Sequence, residues 1–143
     1  MKTRHKIKWT LLAAGLAMIS GLLFSWLRSL LDPSSAPAST LDLNILRVLS
    51  HLLIAPVVEE WVFRKQLPTL LSRKVSPFSA VIISNIIFAF AHLDWYLVPY
   101  FANGCLYAMC FAKTGDIKTS MTAHGLYNGF VLIFQNMLQS PPE

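Results

Sequence analysis

Hydrophobic and polar positions along this chain are not interleaved; they come in blocks. Residues 9–27, 75–93, 95–112 and 119–138 contain no Asp, Glu, Lys or Arg, in runs of 19, 19, 18 and 20. A helix that crosses the hydrocarbon core of a bilayer needs roughly 20 mostly apolar residues, so each run has the length of one span. A fifth apolar block, residues 43–71, is interrupted by Arg47, His51, Glu59, Glu60 and Arg64. The pattern predicts an all-α, polytopic membrane protein with about five transmembrane helices. Residues 32–40, rich in Pro, Ser and Ala, read as the one clear linker. The expected organisation is an N-terminal part, residues 1–40, with a basic segment, the first helix and the linker, followed by a core over residues 41–143.

Composition agrees with the pattern. The chain has 143 residues, is 55% hydrophobic and 13% charged, and has a mean hydropathy of +0.52. A soluble domain of this size needs more polar surface than that. The net charge of +5 does not read as a nucleic-acid signature, because of where it lies. Lys2, Arg4, Lys6 and Lys8 precede the first block, Lys65, Arg73 and Lys74 lie toward the second-to-third turn, and Lys113 and Lys118 flank the fourth. Asp32, Asp42, Asp94 and Glu143 fall at the opposite ends, with Arg28 as the outright exception. That asymmetry is the positive-inside pattern: it expects a cytoplasmic N-terminus and, after five spans, a C-terminus outside. The basic start, apolar run and Ala36-Pro37-Ala38 also have the outline of a signal peptide, but the run is long for one, so the first helix is expected to be retained. Cys105 and Cys110, five apart on one helix, point about 140° apart and are expected to stay unbridged.

Chemistry enters through the polar groups inside the blocks: Arg47, His51, Glu59, Glu60, Arg64, Asn85, His92, His124 and Asn128. An ionised side chain at mid-bilayer costs about 2.5–3.5 kcal/mol on the lenient scale, so each invites a functional explanation. Buried polar groups that merely tie helices together are the alternative. Glu60 and Arg64 are four apart with the acid first, the favourable order for an ion pair on one helix face. Glu59 sits 100° round the helix with Phe63 at its i+4 position, and so lacks a local partner. Pro56 cannot continue the preceding hydrogen-bond ladder, so a break is expected just before the glutamates. Counted from the turn at Lys74–Pro77, Glu59 and His92 both stand about 22 Å up, level across an antiparallel pair. His124 and Asn128 share a face at about 12 and 18 Å from Asp116, which puts His124 below the other two. Arg47 and His51 are expected to snorkel to the interface, and Trp95, Tyr96 and Tyr100 to form an interfacial aromatic belt.

Three of these clusters, "EEWVFR", "FAFAH" and "HGLYN", resemble the EExxxR, FxxxH and HxxxN motifs of the CPBP family of intramembrane proteases. That family includes the CAAX-processing Rce1-type endopeptidases and bacterial relatives linked to bacteriocin processing or self-immunity. The resemblance covers about residues 43–138. It implies a four-helix catalytic core in a bacterial plasma membrane and a glutamic-type, metal-free peptidase acting on a membrane-associated protein or peptide. It further implies that Glu59 and His92 activate the attacking water, that His124 and Asn128 form the oxyanion hole, and that Glu60 and Arg64 support the site. Phe88, on the His92 face, would pack beside it. Lys65 stands where the family often has Gly, and the chain is shorter than the eight-span eukaryotic members, with one helix ahead of the core.

Two other readings use the same residues. A zinc protease would draw ligands from Glu59, Glu60, His92 and His124, although no HExxH-type pair is present and zinc requires three ligands to converge. A non-catalytic membrane partner, an immunity factor or peptide-binding scaffold, would keep the cavity without the chemistry. No nucleotide loop, haem motif or nucleic-acid signature occurs.

Overall fold

Small side chains meet inside this molecule and large ones face outward. In the computed structural model, which describes residues 2–31, 44–93 and 96–139, the buried positions include Ala13, Ala14, Ala17, Ala80, Ser84, Ser120 and Ala123. The exposed ones include Leu11, Leu23, Trp26, Ile54, Trp61, Phe78, Phe90 and Ile133. A water-soluble fold does the reverse. In lipid, large apolar side chains gain nothing by turning inward, and small residues let helices approach closely. The inversion marks an all-α membrane protein.

Five helical rods carry it. They are α1 (Thr3–Leu31), a second rod made of α2 (Ile45–Leu49), α3 (Ala55–Glu60) and α4 (Leu67–Leu71), then α5 (Pro77–Ala91), α6 (Leu97–Thr114) and α7 (Ile117–Gln139). No strand occurs among the described residues. Of the described helices, α1 alone has both the length and the hydropathy to cross a membrane by itself, and α5 is apolar but shorter. The expected linker at residues 32–40, and Trp95 of the expected aromatic belt, lie outside the described residues.

Local sequence sets the helix ends. Asn44 Oδ1 accepts from the Leu46 N–H at 2.9 Å to start α2, and Ser76 Oγ accepts from Ser79 N–H at 3.1 Å to start α5, with Pro77 in the first turn. Gly115, at φ 63°, closes α6 in the left-handed conformation that glycine adopts without a Cβ penalty. Its N–H reaches the Phe111 carbonyl at 2.7 Å. One residue later the Asp116 carboxylate accepts from Lys118 N–H to open α7.

The second rod is interrupted twice, and proline explains both places. The chain makes one wider π turn at Ser50–Ile54 and another at Trp61–Gln66. In the first, the Ala55 N–H reaches back five residues to the Ser50 carbonyl, and Pro56 follows with no N–H. The His51 carbonyl then has neither its α nor its π donor. In the second, the Leu67 N–H reaches the Val62 carbonyl and Pro68 follows, which orphans the Phe63 carbonyl in the same way. Neighbouring helices satisfy both: Asn128 Nδ2 of α7 donates to the His51 carbonyl at 2.8 Å, and Ser84 Oγ of α5 donates to the Phe63 carbonyl at 2.6 Å. The break expected ahead of Pro56 is thus a π turn, and it is tied to the helix that bears the third motif.

Helix α1 packs along α6 and α7. Its face of Ala13, Ala14 and Ala17 meets Tyr107, Cys110 and Ala123, and a Cβ added at Gly21 would stand 3.0 Å from the Tyr127 hydroxyl. At the basic end, Lys6 Nζ pairs with Asp116 at 2.7 Å. That hydrogen bond, with the Lys118 backbone N–H, holds the Asp116 carboxyl below the usual carboxylate range. Cys105 and Cys110 are both free thiols.

Candidate active site

Glu60 is fully buried and Arg64 is 5% exposed. Arg64 Nε lies 3.1 Å from Glu60 Oε2, an ion pair that is off hydrogen-bond alignment. The pairing inferred from the i,i+4 spacing is present, but it is half of what Glu60 does. His124 Nδ1 lies 3.0 Å from the other carboxylate oxygen. A carboxylate can only accept, so Nδ1 carries the hydrogen. Glu60 therefore holds the α3–α4 rod and α7 together through one carboxyl group.

Glu59 is different. Its side chain is 28% exposed, and its closest ionic neighbour is His124 Nε2 at 3.8 Å, beyond hydrogen-bond reach. The depth count separated these two residues, and the structure brings their side chains within 3.8 Å of each other. The second rod's geometry accounts for part of the difference. The π turn at Trp61–Gln66 spends more residues per turn between Glu59 and the Lys74 turn, so Glu59 stands lower than a straight α-helical count puts it.

His92 ends α5, and its Nδ1 lies 2.9 Å from the Phe88 carbonyl. That oxygen can only accept, so Nδ1 holds the hydrogen and Nε2 of the neutral ring is left as a proton acceptor. Phe88, 1% exposed, joins the groups: its ring meets His92 edge-on at 4.8 Å, His124 at 6.1 Å and Phe63 at 5.3 Å. The Arg64 guanidinium stacks over it at 4.5 Å, which places a delocalised cation against a π face and away from lipid.

Beside these groups lies a cavity of about 640 Å³. Glu59, Phe88, His92, His124 and Asn128 all line it, so the three motifs converge from three rods. Arg47 and His51, expected to reach for the interface, line the same cavity, as does Gln135 near the far end of α7. Asn128 enters with one N–H already committed to the His51 carbonyl. Among the described residues, no three His, Cys, Asp or Glu side chains gather as a set that could hold a metal ion.

Sequence reasoning missed the contribution of α6. Tyr100 was expected in an interfacial belt. It instead stacks on His92 with ring centroids 3.8 Å apart and planes 22° apart, and it lines the cavity. Tyr107 stacks on His124 at 4.7 Å and 15°. Asn103, between them, also lines the cavity. The signal was available: positions 100, 103 and 107 follow the i, i+3, i+7 spacing of one helix face. Nothing in the sequence alone said which face of α6 turns toward the two histidines.

A family model described as type II CAAX prenyl endopeptidase Rce1-like matches residues 41–130. Among curated proteins, the membrane-embedded CAAX protease MroQ of Staphylococcus aureus (strain USA300) is 37% identical over 90 residues, covering 58% of this chain and 36% of that protein. YdiL of Bacillus subtilis (strain 168), provisionally named a membrane peptidase, is 35% identical over 91 residues, covering 63% of this chain and 37% of that protein. The chain thus spans just over a third of the length of each of these relatives. No solved structure matches.

Proposed function

This chain belongs to the Rce1-like family of type II CAAX prenyl endopeptidases, and we propose that it is an intramembrane endopeptidase that cleaves a membrane-associated protein or peptide without a metal. One observation carries the reading. Glu59, His92, His124 and Asn128, spread over 70 positions of sequence, border a single cavity beside an ion pair buried away from lipid.

In this mechanism water binds between Glu59 and His92. Glu59 is the carboxylate not consumed by Arg64, and His92 offers an unprotonated Nε2. Together they take the proton as the water oxygen bonds to the scissile carbonyl carbon. The carbonyl oxygen becomes an oxyanion, which His124 Nε2–H and the second N–H of Asn128 stabilise. Because the Nδ1–H of His124 is directed at Glu60, donation from Nε2 in this mechanism uses the doubly protonated ring. Collapse breaks the C–N bond, and the proton taken from water passes to the leaving amine. Glu60 orients His124 through Nδ1, and Phe88 fixes the spacing of the two imidazoles.

The direction of access follows from charge. Lys6, Lys113 and Lys118 cluster at one end of the bundle, whereas the cavity is bordered by Arg47, Tyr100 and Gln135 toward the other. With the basic end cytoplasmic, the cavity serves the outer leaflet, and the substrate is an exported or surface-bound segment. The test compares the membrane proteome of cells carrying the intact chain with that of cells carrying Glu59→Gln. New N- or C-termini present only with Glu59 support the reading, and identical termini in both remove it.

A further inference from the structure

Asn103 is 2% exposed, and neither its amide oxygen nor its amide nitrogen has a hydrogen-bond partner. Tyr107, one turn further along α6, is 1% exposed and its hydroxyl is likewise unpartnered. Tyr127 approaches the Asn103 amide but does not meet hydrogen-bond geometry with it. Both α6 residues line the cavity of the candidate active site. Three orphan polar atoms on one helix face are costly unless a partner enters the cavity they border. Elsewhere in the same molecule the orphan carbonyls of His51 and Phe63 are both satisfied by side chains. Among the described residues, the other buried side-chain atoms without a hydrogen-bond partner belong to the Glu60–Arg64 ion pair and to Asn85, none of which lines the cavity; the three on α6 are the ones a ligand in the cavity can reach.

We propose that the α6 face of Asn103 and Tyr107 is a docking site for the unpaired backbone of a peptide, with the Asn103 amide donating to one peptide carbonyl and accepting from a peptide N–H. An amide is the one neutral side-chain group that offers a donor and an acceptor in the arrangement a peptide bond presents. A helical segment in lipid has every backbone group paired internally and offers nothing to such a site. An unwound segment offers both groups and lowers its own cost by binding there. The two side-chain torsions of Asn103 let the amide turn to an arriving strand without moving α6. The proposal rests on the peptidase reading for its choice of ligand and makes α6 the element that selects locally unwound substrate.

The experiment uses the full chain carrying Glu59→Gln in phosphatidylcholine vesicles, so that binding is read without cleavage. Two fluorophore-labelled hydrophobic peptides are compared, one with a central Gly-Pro break and one of matched length that is helical throughout. The broken peptide should bind about tenfold more tightly, the order expected for a donor–acceptor pair gained. Asn103→Leu should abolish that preference while leaving the thermal unfolding midpoint unchanged or raised, because it removes an orphaned amide at similar volume. Asn103→Ala, which adds no bulk, should abolish the preference too, and it decides the matter if the leucine variant does not fold. Equal binding of the two peptides, or a preference that survives both substitutions, overturns the proposal. If the preference depends on Asn103 but the Glu59 protein cuts nothing, docking stands and the peptidase reading falls. If the Glu59 protein cleaves but the preference is indifferent to Asn103, the opposite holds.

Discussion

Glu59 and Glu60 are adjacent in the chain and differ in almost everything the structure adds. Glu60 is fully buried between Arg64 and His124; Glu59 is partly exposed and borders the cavity. Substituting each by glutamine should therefore separate chemistry from stability. Glu59→Gln should abolish cleavage with the unfolding midpoint in detergent unchanged, since no close hydrogen bond is lost. Glu60→Gln should cost about 3–5 kcal/mol, the usual penalty for leaving one member of a buried pair uncompensated, and activity should fall with it. Wild-type turnover in Glu59→Gln would rule out the assigned base. The Glu60–Arg64 pair was legible because i,i+4 is a local relation, fixed by helix geometry. The Glu60–His124 contact joins residues 64 positions apart, and no local rule reaches that far.

At the scale of elements, Pro56 and Pro68 act alike, and the two caps they require make a controlled comparison. Ser84→Ala and Asn128→Ala each leave a helical carbonyl unsatisfied, and each should lower stability by about 1–3 kcal/mol. Ser84 does not line the cavity and Asn128 does. Turnover should consequently fall by about 100- to 1000-fold in Asn128→Ala, as loss of an oxyanion donor does, and by far less in Ser84→Ala. Equal falls in both would reduce Asn128 to a tie between helices. Gly125 adds a second check on the same contact, because a Cβ there would stand 2.8 Å from the Leu52 carbonyl oxygen, the oxygen whose α-helical donor Pro56 lacks. Gly125→Ala should push α7 away from the second rod, reducing both the unfolding midpoint and activity, whereas Gly15→Ala, with nothing within 4 Å, should change neither. Pro56 announced a break from sequence alone. That the freed carbonyl would be met by Asn128 was not legible, because it depends on the rotation of α7 against the rod.

For the whole molecule, the decisive quantity is orientation in the bilayer. Single cysteines at Ser72, beside the basic turn before α5, and at Gln135, on the cavity border, both fall at exposed positions. In a background with Cys105 and Cys110 replaced, a membrane-impermeant maleimide should label Gln135→Cys in intact cells and Ser72→Cys only after permeabilisation. The reverse result would invert the topology and move the substrate to the cytoplasmic side. The five-rod arrangement follows from block lengths near 20 residues, and the bundle's outward Leu, Ile and Val follow from lipid being as apolar as they are.

By itself the sequence determined what is local or periodic: the helical blocks, the break ahead of Pro56, the Glu60–Arg64 pair and the motifs that carry the family resemblance. Each depends on spacing along one helix or on the length of a run, and both are written in residue order. Only the tertiary structure decided which faces meet. It set the His124 ring beside the Glu59 carboxylate, gave Glu60 a second partner, turned Tyr100 from an expected interfacial belt to a stack on His92, and brought Asn103 to the cavity wall. Those outcomes rest on helix rotation, tilt and vertical offset, which come from how small residues on α1, α6 and α7 let the rods approach and from where the two π turns shorten the second one. Such quantities are properties of packed pairs of helices, and no single helix encodes them.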